Sequence, residues 1–154
     1  KKEGLTPVYS SKFKRVLTNS GYPAIKPPWG TLTALNLNNG KIIWQSPFGE
    51  YKELTKEGIP LTGTENFGGA TATSGDIVIA TGTLDKKIYI FNAINGEIIY
   101  DLELPYIGSA PPATYMSNGE QYILVHATGG FSLSKGYPNL VEQGNALIAL
   151  KLKK

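Results

Sequence analysis

The side chains able to do acid–base, nucleophilic or metal chemistry are few and scattered. His126 is the only histidine and there is no cysteine. Catalytic histidine pairs, multi-histidine or thiolate metal sites, disulfides, covalent haem attachment and cysteine nucleophiles are therefore excluded within the chain. A lone histidine near the end of a strand reads as a hydrogen-bonded structural residue. Asp76, Asp85 and Asp101 fall in strand or turn contexts that predict surface positions, and none reads as a general base. The sequence thus offers no catalytic residue and no metal ligand. The net charge of +3 comes mostly from lysines and Arg15 near the two ends, with no basic stripe carrying interleaved aromatics, which argues against nucleic-acid binding. No apolar run approaches the roughly 18 residues of a membrane-spanning helix.

The elements that must position any site announce themselves as a repeat. Residues Ala34 to Trp44 read A-L-N-L-N-N-G-K-I-I-W, and residues Ile90 to Tyr100 read I-F-N-A-I-N-G-E-I-I-Y. Ala146 to Leu152 restates Thr31 to Leu37. With 18 glycines, 10 prolines and 9 tyrosines, the chain favours many short strands and tight turns over long helices. The predicted class is all-β: a β-propeller built from four-stranded antiparallel blades. Residues 1–28 read as an irregular leading segment and 29–154 as a partial propeller. The chain starts at Lys1 rather than Met, which reads as a processed or trimmed N-terminus.

Strand signals follow in order over Gly30–Leu37, Lys41–Phe48, Ala70–Thr73, Asp76–Gly82, Lys87–Ala93, Glu97–Leu104, Pro112–Met116, Gln121–Ala127 and Asn145–Leu152. Tyr51–Glu57 reads as one helical turn inside a long connection. Asn-Gly pairs at 39–40, 95–96 and 118–119 predict hairpin turns, because those turns need positive φ. With strands lettered A to D from the propeller axis outwards, the chain holds C and D of one blade, a whole second blade and A to C of a third. About two and a half blades cannot close a ring, so either further blades complete it or several copies assemble.

Successive antiparallel strands reverse direction, which puts A–B and C–D turns on one face and D–A and B–C connections on the other. All the former are tight. The long connections Gly49–Gly69, Pro105–Pro111 and Thr128–Gly144 all belong to the second face, where sites are usually built. Trp44 and Tyr100, closing the repeat on strand D, are expected to pack flat on the neighbouring blade and to bury about 150–250 Å² each. Asn36 and Asn92 are expected to cap their turns through the side-chain amide. Trp29 reads either as core packing or as the lip of a pocket.

The aromatic-ended repeat, Pro27-Pro28-Trp29-Gly30-Thr31-Leu32-Thr33-Ala34, Gly63-Thr64-Glu65-Asn66-Phe67-Gly68-Gly69, and Gly119-Glu120-Gln121-Tyr122 followed by Gly129-Gly130 together resemble the C-terminal blades of pyrroloquinoline-quinone (PQQ) dependent quinoprotein dehydrogenases. The glucose dehydrogenase branch is the closest in motif. The resemblance covers about residues 22 to 152. It implies an eight-bladed propeller holding PQQ and a calcium ion near its axis, in an exported or periplasmic enzyme. Such an enzyme oxidises a sugar or alcohol and passes electrons to a quinone or haem (cytochrome) acceptor. It also implies that Asn66, Phe67, Gly68 and Gly69 approach the cofactor, with the glycines admitting a flat ring close to the backbone. The family's catalytic carboxylate and calcium ligands match no segment here, so the isolated chain is expected to be inactive.

Several positions depart from the family pattern. Asn36 and Asn92 stand where Asp is usual, Tyr100 where Trp is usual, and His126 and Thr128 interrupt a run of small residues. The stretch Ser132–Gly144 is longer than its family counterpart and reads as a specificity element or partner contact. These departures leave room for a non-catalytic propeller scaffold used in protein binding or assembly. On either reading the open strand edges are expected to pair with the remaining blades or with another copy.

Overall fold

The computed structural model describes Tyr9, residues 14–130 and residues 141–152. Nine strands and one short helix follow one another: β1 Thr31–Leu35, β2 Ile42–Pro47, α1 Lys52–Lys56, β3 Asn66–Ala72, β4 Ile77–Thr83, β5 Lys87–Asn92, β6 Ile98–Glu103, β7 Ala113–Ser117, β8 Glu120–Ala127 and β9 Ala146–Lys151. They form three antiparallel sheets ordered β1-β2, β3-β4-β5-β6 and β7-β8-β9. This is the all-β partial propeller expected from the repeat, with the strands divided among blades as two, four and three. One expected boundary moves. The innermost strand of the complete blade begins at Asn66 rather than Ala70, because Asn66 already pairs with Thr83 across a register shift that ends at Gly69.

Turn chemistry sets the register of each hairpin. Asn118 and Gly119 both have positive φ, 50° and 75°, and join Ser117 to its partner Glu120, as a two-residue hairpin of this twist requires. The two longer turns are copies of one another. Asn36 Oδ1 accepts from the Asn38 N–H at 2.9 Å, and Asn92 Oδ1 accepts from the Ile94 N–H at 2.8 Å. Each turn closes with a glycine N–H on the asparagine carbonyl, Gly40 to Asn36 and Gly96 to Asn92. Both asparagines cap their turns as expected. The amide oxygen accepts as a carboxylate would, so Asn in place of Asp leaves the turn intact.

Burial follows from which faces of a sheet are covered. In the middle sheet, Ala80, Tyr89 and Phe91 pack with Phe48 and Leu32 toward the first sheet. Ile79 and Ile88 pack with Leu104 and Val125 toward the third. A strand covered on both sides carries a near-continuous run of apolar residues; Ile79–Leu84 is buried throughout, and the hydroxyls of its two threonines are bonded, Thr81 to the Ala110 carbonyl and Thr83 to Asp85. Strand β9, covered on one side, alternates instead: Ile148 and Leu150 pack inward, while Leu147 and Lys151 are exposed. A third cluster, Tyr51, Leu84, Ile107 and Val141 with Tyr22, Trp29 and Leu54 around it, sits among the long connections. Trp29 stacks on Tyr22 with ring centroids 5.9 Å apart and meets Tyr51 edge-on. Its part is packing.

Trp44 is 9% exposed. Its Nε1–H donates to the Ala93 carbonyl at 2.8 Å, and its ring stacks on Phe91. It docks on the next blade as expected. Tyr100 does not: it is 55% exposed, because among the described residues no turn of the third sheet reaches it.

Candidate functional site

Asn66, Phe67, Gly68 and Gly69 open β3, the innermost strand, on the face that carries the long connections. They belong to the strand itself rather than to the loop before it. The register shift between Asn66 and Gly69 is a bulge, and its cause is the backbone. A Cβ at Gly68 would lie 2.2 Å from the Thr81 carbonyl oxygen, and one at Gly82 would lie 2.0 Å from the Gly68 nitrogen. Two main chains meet where side chains cannot fit. Gly69 has φ +135°, and its Cβ would lie 2.7 Å from the Pro111 ring. Both glycines therefore face the protein's own chain, where the expectation had them facing a flat ligand. A side chain at Gly68 would disrupt the sheet before it met any ligand.

The two residues ahead of them are placed differently. Phe67 is 53% exposed. The Asn66 side-chain amide has no hydrogen-bond partner among the described residues, although Asn66 itself is only partly exposed. An aromatic surface at Phe67 and an unengaged amide at Asn66 are each able to contact a planar, polar ligand. Just before them, Glu65 takes a bidentate pair from Arg15, with Nε and the second guanidinium nitrogen each 2.7 Å from a carboxylate oxygen. This pair ties the leading segment to the strand start, and fork-to-fork geometry makes it directional as well as attractive.

The connection 48–65 leading to this strand is held by polar contacts along its length. The Phe48 N–H donates to the Gly30 carbonyl at 3.0 Å, and the Thr64 N–H to the Phe48 carbonyl at 2.9 Å. Lys87 Nζ sits 2.7 Å from a Glu50 oxygen and 3.1 Å from Asp101. Burial pushes the Glu50 carboxyl up, but hydrogen bonds from Lys87 and Thr55 and the charges of Lys87 and Lys52 outweigh it and hold it below the usual carboxylate range. Burial likewise pulls Lys87 down, and Glu50 and Asp101 more than restore it, leaving it above the usual lysine range. Burial, then the charge of Asp85 and the hydrogen bond to it, push the Tyr89 hydroxyl far up. Asp85 is thus no surface residue. It is a partly buried acceptor among these groups, and nothing in its local sequence announced that.

A recess of about 240 Å³ opens between Glu50, Lys52, Asp85, Lys86 and Glu103. Its lysines are paired, Lys52 with Glu103 and Lys86 with Glu142, both at 2.9 Å. It reads as an ion-paired seam between connections rather than a ligand cavity. His126 is exposed, with Nδ1 3.0 Å from the Ser109 hydroxyl, which also meets Thr128 at 2.6 Å. This is a local hydrogen-bonded group on the third sheet. Among the described residues no cluster of three or more histidine, aspartate or glutamate side chains could hold a metal ion. Most of the 132–144 stretch lies outside the described residues.

Comparison with known proteins gives consistent results. Residues 2–123 match the PQQ family described as glucose/ethanol/alcohol dehydrogenase, beta-propeller domain. The chain is 32% identical over 137 residues to the quinate/shikimate dehydrogenase (quinone) of Acinetobacter baylyi, covering 82% of this chain and 17% of that protein. It is 27% identical to the quinoprotein glucose dehydrogenase A of Acinetobacter calcoaceticus, over 97% of this chain and 19% of the relative. The chain thus spans less than a fifth of the length of these curated relatives. The solved quinohemoprotein alcohol dehydrogenase of Comamonas testosteroni superposes with a TM-score of 0.55 at 22% identity, over 85% of this chain and 17% of that one, a likeness of fold.

Proposed function

Because this chain belongs to the PQQ glucose/ethanol/alcohol dehydrogenase β-propeller family, we propose that it forms the C-terminal blades of a quinoprotein oxidoreductase acting on a sugar or alcohol. The observation that carries this reading is the family match across residues 2–123, on a fold that shows the corresponding blades. The relatives named above are a quinate/shikimate and a glucose dehydrogenase, which favours a polyhydroxylated small molecule as the substrate class. Calcium ligands and the catalytic base come from blades outside this chain, as do most substrate contacts. Export to the periplasm and electron delivery to a quinone or cytochrome complete the proposal.

When bound, PQQ supplies the two-electron acceptor. This chain's own residues position it. Asn66 offers its amide N–H to a carbonyl or carboxylate oxygen of the ligand, and Phe67 offers a ring against a planar face. Gly68 and Gly69 shape the bulge that brings these two residues to the strand start. Arg15 and Glu65 fix the chain immediately before them. The exposed faces of β1–β2 and β7–β9 receive the remaining blades or a second copy.

The test is reconstitution of the complete polypeptide with PQQ and calcium, followed by dye reduction across glucose, glycerol, quinate and simple alcohols. Turnover with at least one of them is expected. No PQQ uptake and no turnover with any would leave a propeller scaffold as the better reading.

A further inference from the structure

The carboxylate of Asp85 collects four donors. Oδ1 accepts from the Thr83 hydroxyl at 2.5 Å and from the Lys87 N–H at 3.3 Å. Oδ2 accepts from the Glu50 N–H at 2.9 Å and from the Tyr89 hydroxyl. A turn aspartate satisfied by its own turn would stop at the N–H two residues on, as Asn36 and Asn92 do. Thr83 and Tyr89 are also near in sequence, but the Glu50 N–H comes from a distant connection. Glu50 lies near the start of the connection 48–65, and Thr83 is the cross-strand partner of Asn66, where that connection ends. The carboxylate therefore holds the start of the loop directly through Glu50, and its near neighbour Thr83 pairs through the backbone with Asn66 at the loop's end.

Neighbouring contacts support the same closure. The Leu84 N–H donates to Thr64 Oγ1 at 3.0 Å. Gly49 sits so close to both ends that a Cβ there would lie 2.7 Å from Thr64 Oγ1 and 2.8 Å from Thr83 Cγ2. Thr64 and Thr83 are fully buried, so water cannot replace a lost partner at either.

We propose that Asp85 is a positioning residue for the ligand site at Asn66 and Phe67, closing the 48–65 connection and fixing the backbone from which those two side chains project. The proposal rests on the PQQ reading above. Asp85→Asn is the informative variant, because an amide has one acceptor oxygen and must turn its NH₂ toward a pair of donors. Tyr89→Phe is its control: it removes one donor from Oδ2 and leaves the grips on Glu50 and Thr83 in place.

In the complete polypeptide, PQQ is titrated into each variant by fluorescence quenching well below its unfolding temperature, and amide hydrogen exchange is followed at Thr64. Residues that orient metal ligands typically cost 10- to 100-fold in affinity when altered, and taking the low end of that range by analogy, Asp85→Asn is expected to weaken PQQ binding about tenfold. It should also speed Thr64 exchange, while Tyr89→Phe lowers the unfolding temperature with neither effect. Equal PQQ affinity in wild type and Asp85→Asn would overturn the role given to Asp85 alone. So would losses in both variants that simply track their unfolding temperatures. Absence of PQQ binding by the wild-type protein would overturn the cofactor reading itself and this inference with it.

Discussion

Trp44 and Tyr100 hold the same place in the repeat and meet different surroundings. Trp44 leaves β2 to lie over the turn of the next blade. Its Nε1–H reaches the Ala93 carbonyl at 2.8 Å, and a Cβ at Gly96 would come within 2.4 Å of its ring. Ser46 adds a hydroxyl donated to the Gly96 carbonyl at 2.5 Å. Tyr100, on β6, has no such turn against it among the described residues and is 55% exposed. The receiving turns differ in the same way: Gly40 has no atom within 4 Å of the position its Cβ would take, although its turn is hydrogen-bonded like that of Gly96. Docking is therefore a property of two blades together, an aromatic and the glycine turn that receives it. Below that level the two junctions are alike, each with an apolar cluster between sheets.

The largest expected effect separates the two aromatics. Trp44→Ala should cost about 3–5 kcal/mol, the range for emptying a buried aromatic site. Tyr100→Ala should stay within about 0.5 kcal/mol, as at other exposed positions. Denaturant titration of both variants measures the gap, and equal losses would break the contrast between the junctions.

A second test moves to the receiving turns. Gly40→Ala meets only the strain of a left-handed backbone, about 1–2 kcal/mol. Gly96→Ala meets the same strain and must also displace the Trp44 ring, which adds about 1–3 kcal/mol of overpacking. The excess should vanish in a Trp44→Ala background, and a double-mutant cycle reads it directly. Persistence of the excess there would place its origin outside the docked ring.

Asn36→Ala and Asn92→Ala sharpen the comparison from the other side. Each removes one side-chain acceptor from a backbone N–H, worth about 1 kcal/mol. The two losses should agree within a few tenths, because the caps are equivalent even though only one turn is covered. A much larger loss at Asn92 would mean that docking and capping are coupled.

The smallest effect is in the pH dependence of the Glu50–Lys87 pair beside the docked junction. Glu50 titrates below its ordinary value when folded, so its contribution is present above about pH 4.5 and is lost as acid reaches the lowered folded value. Lys87 titrates above its ordinary value, so its contribution is present below about pH 10.5 and is lost as base passes the raised folded value. Glu50→Gln should flatten the acid limb of stability against pH by less than one proton, by linkage. An unchanged acid limb would remove the pair from the stability of this junction.

Much of the architecture was legible from local rules. Every strand was signalled by alternating or continuous apolar residues between glycine- and asparagine-rich turns, and α1 by Tyr51–Glu57. The division into two, four and three strands followed from counting hairpins. The candidate site was legible only as a motif. Glycines in Gly68-Gly69 signal close approach, but sequence carries no record of what approaches. Here it is the backbone of Thr81 and Gly82 on one side and Pro111 on the other. Asp85 was misread for a related reason: a turn aspartate followed by two lysines looks solvated until Glu50 arrives from a distant connection.

What the sequence by itself determined is whatever depends on neighbours along the chain. That covers strand periodicity, the positive-φ turns at Gly40, Gly96 and Asn118-Gly119, and the absence of thiol or histidine-cluster chemistry. What only the tertiary structure decided depends on partners many residues away. It buried Trp44 against the turn of another blade, set Gly68 against the backbone of a neighbouring strand, and brought Asp85 a donor from a distant connection. Covalent geometry and turn strain act over a few residues, whereas docking, desolvation and hydrogen-bond satisfaction are settled only when separate blades and connections meet.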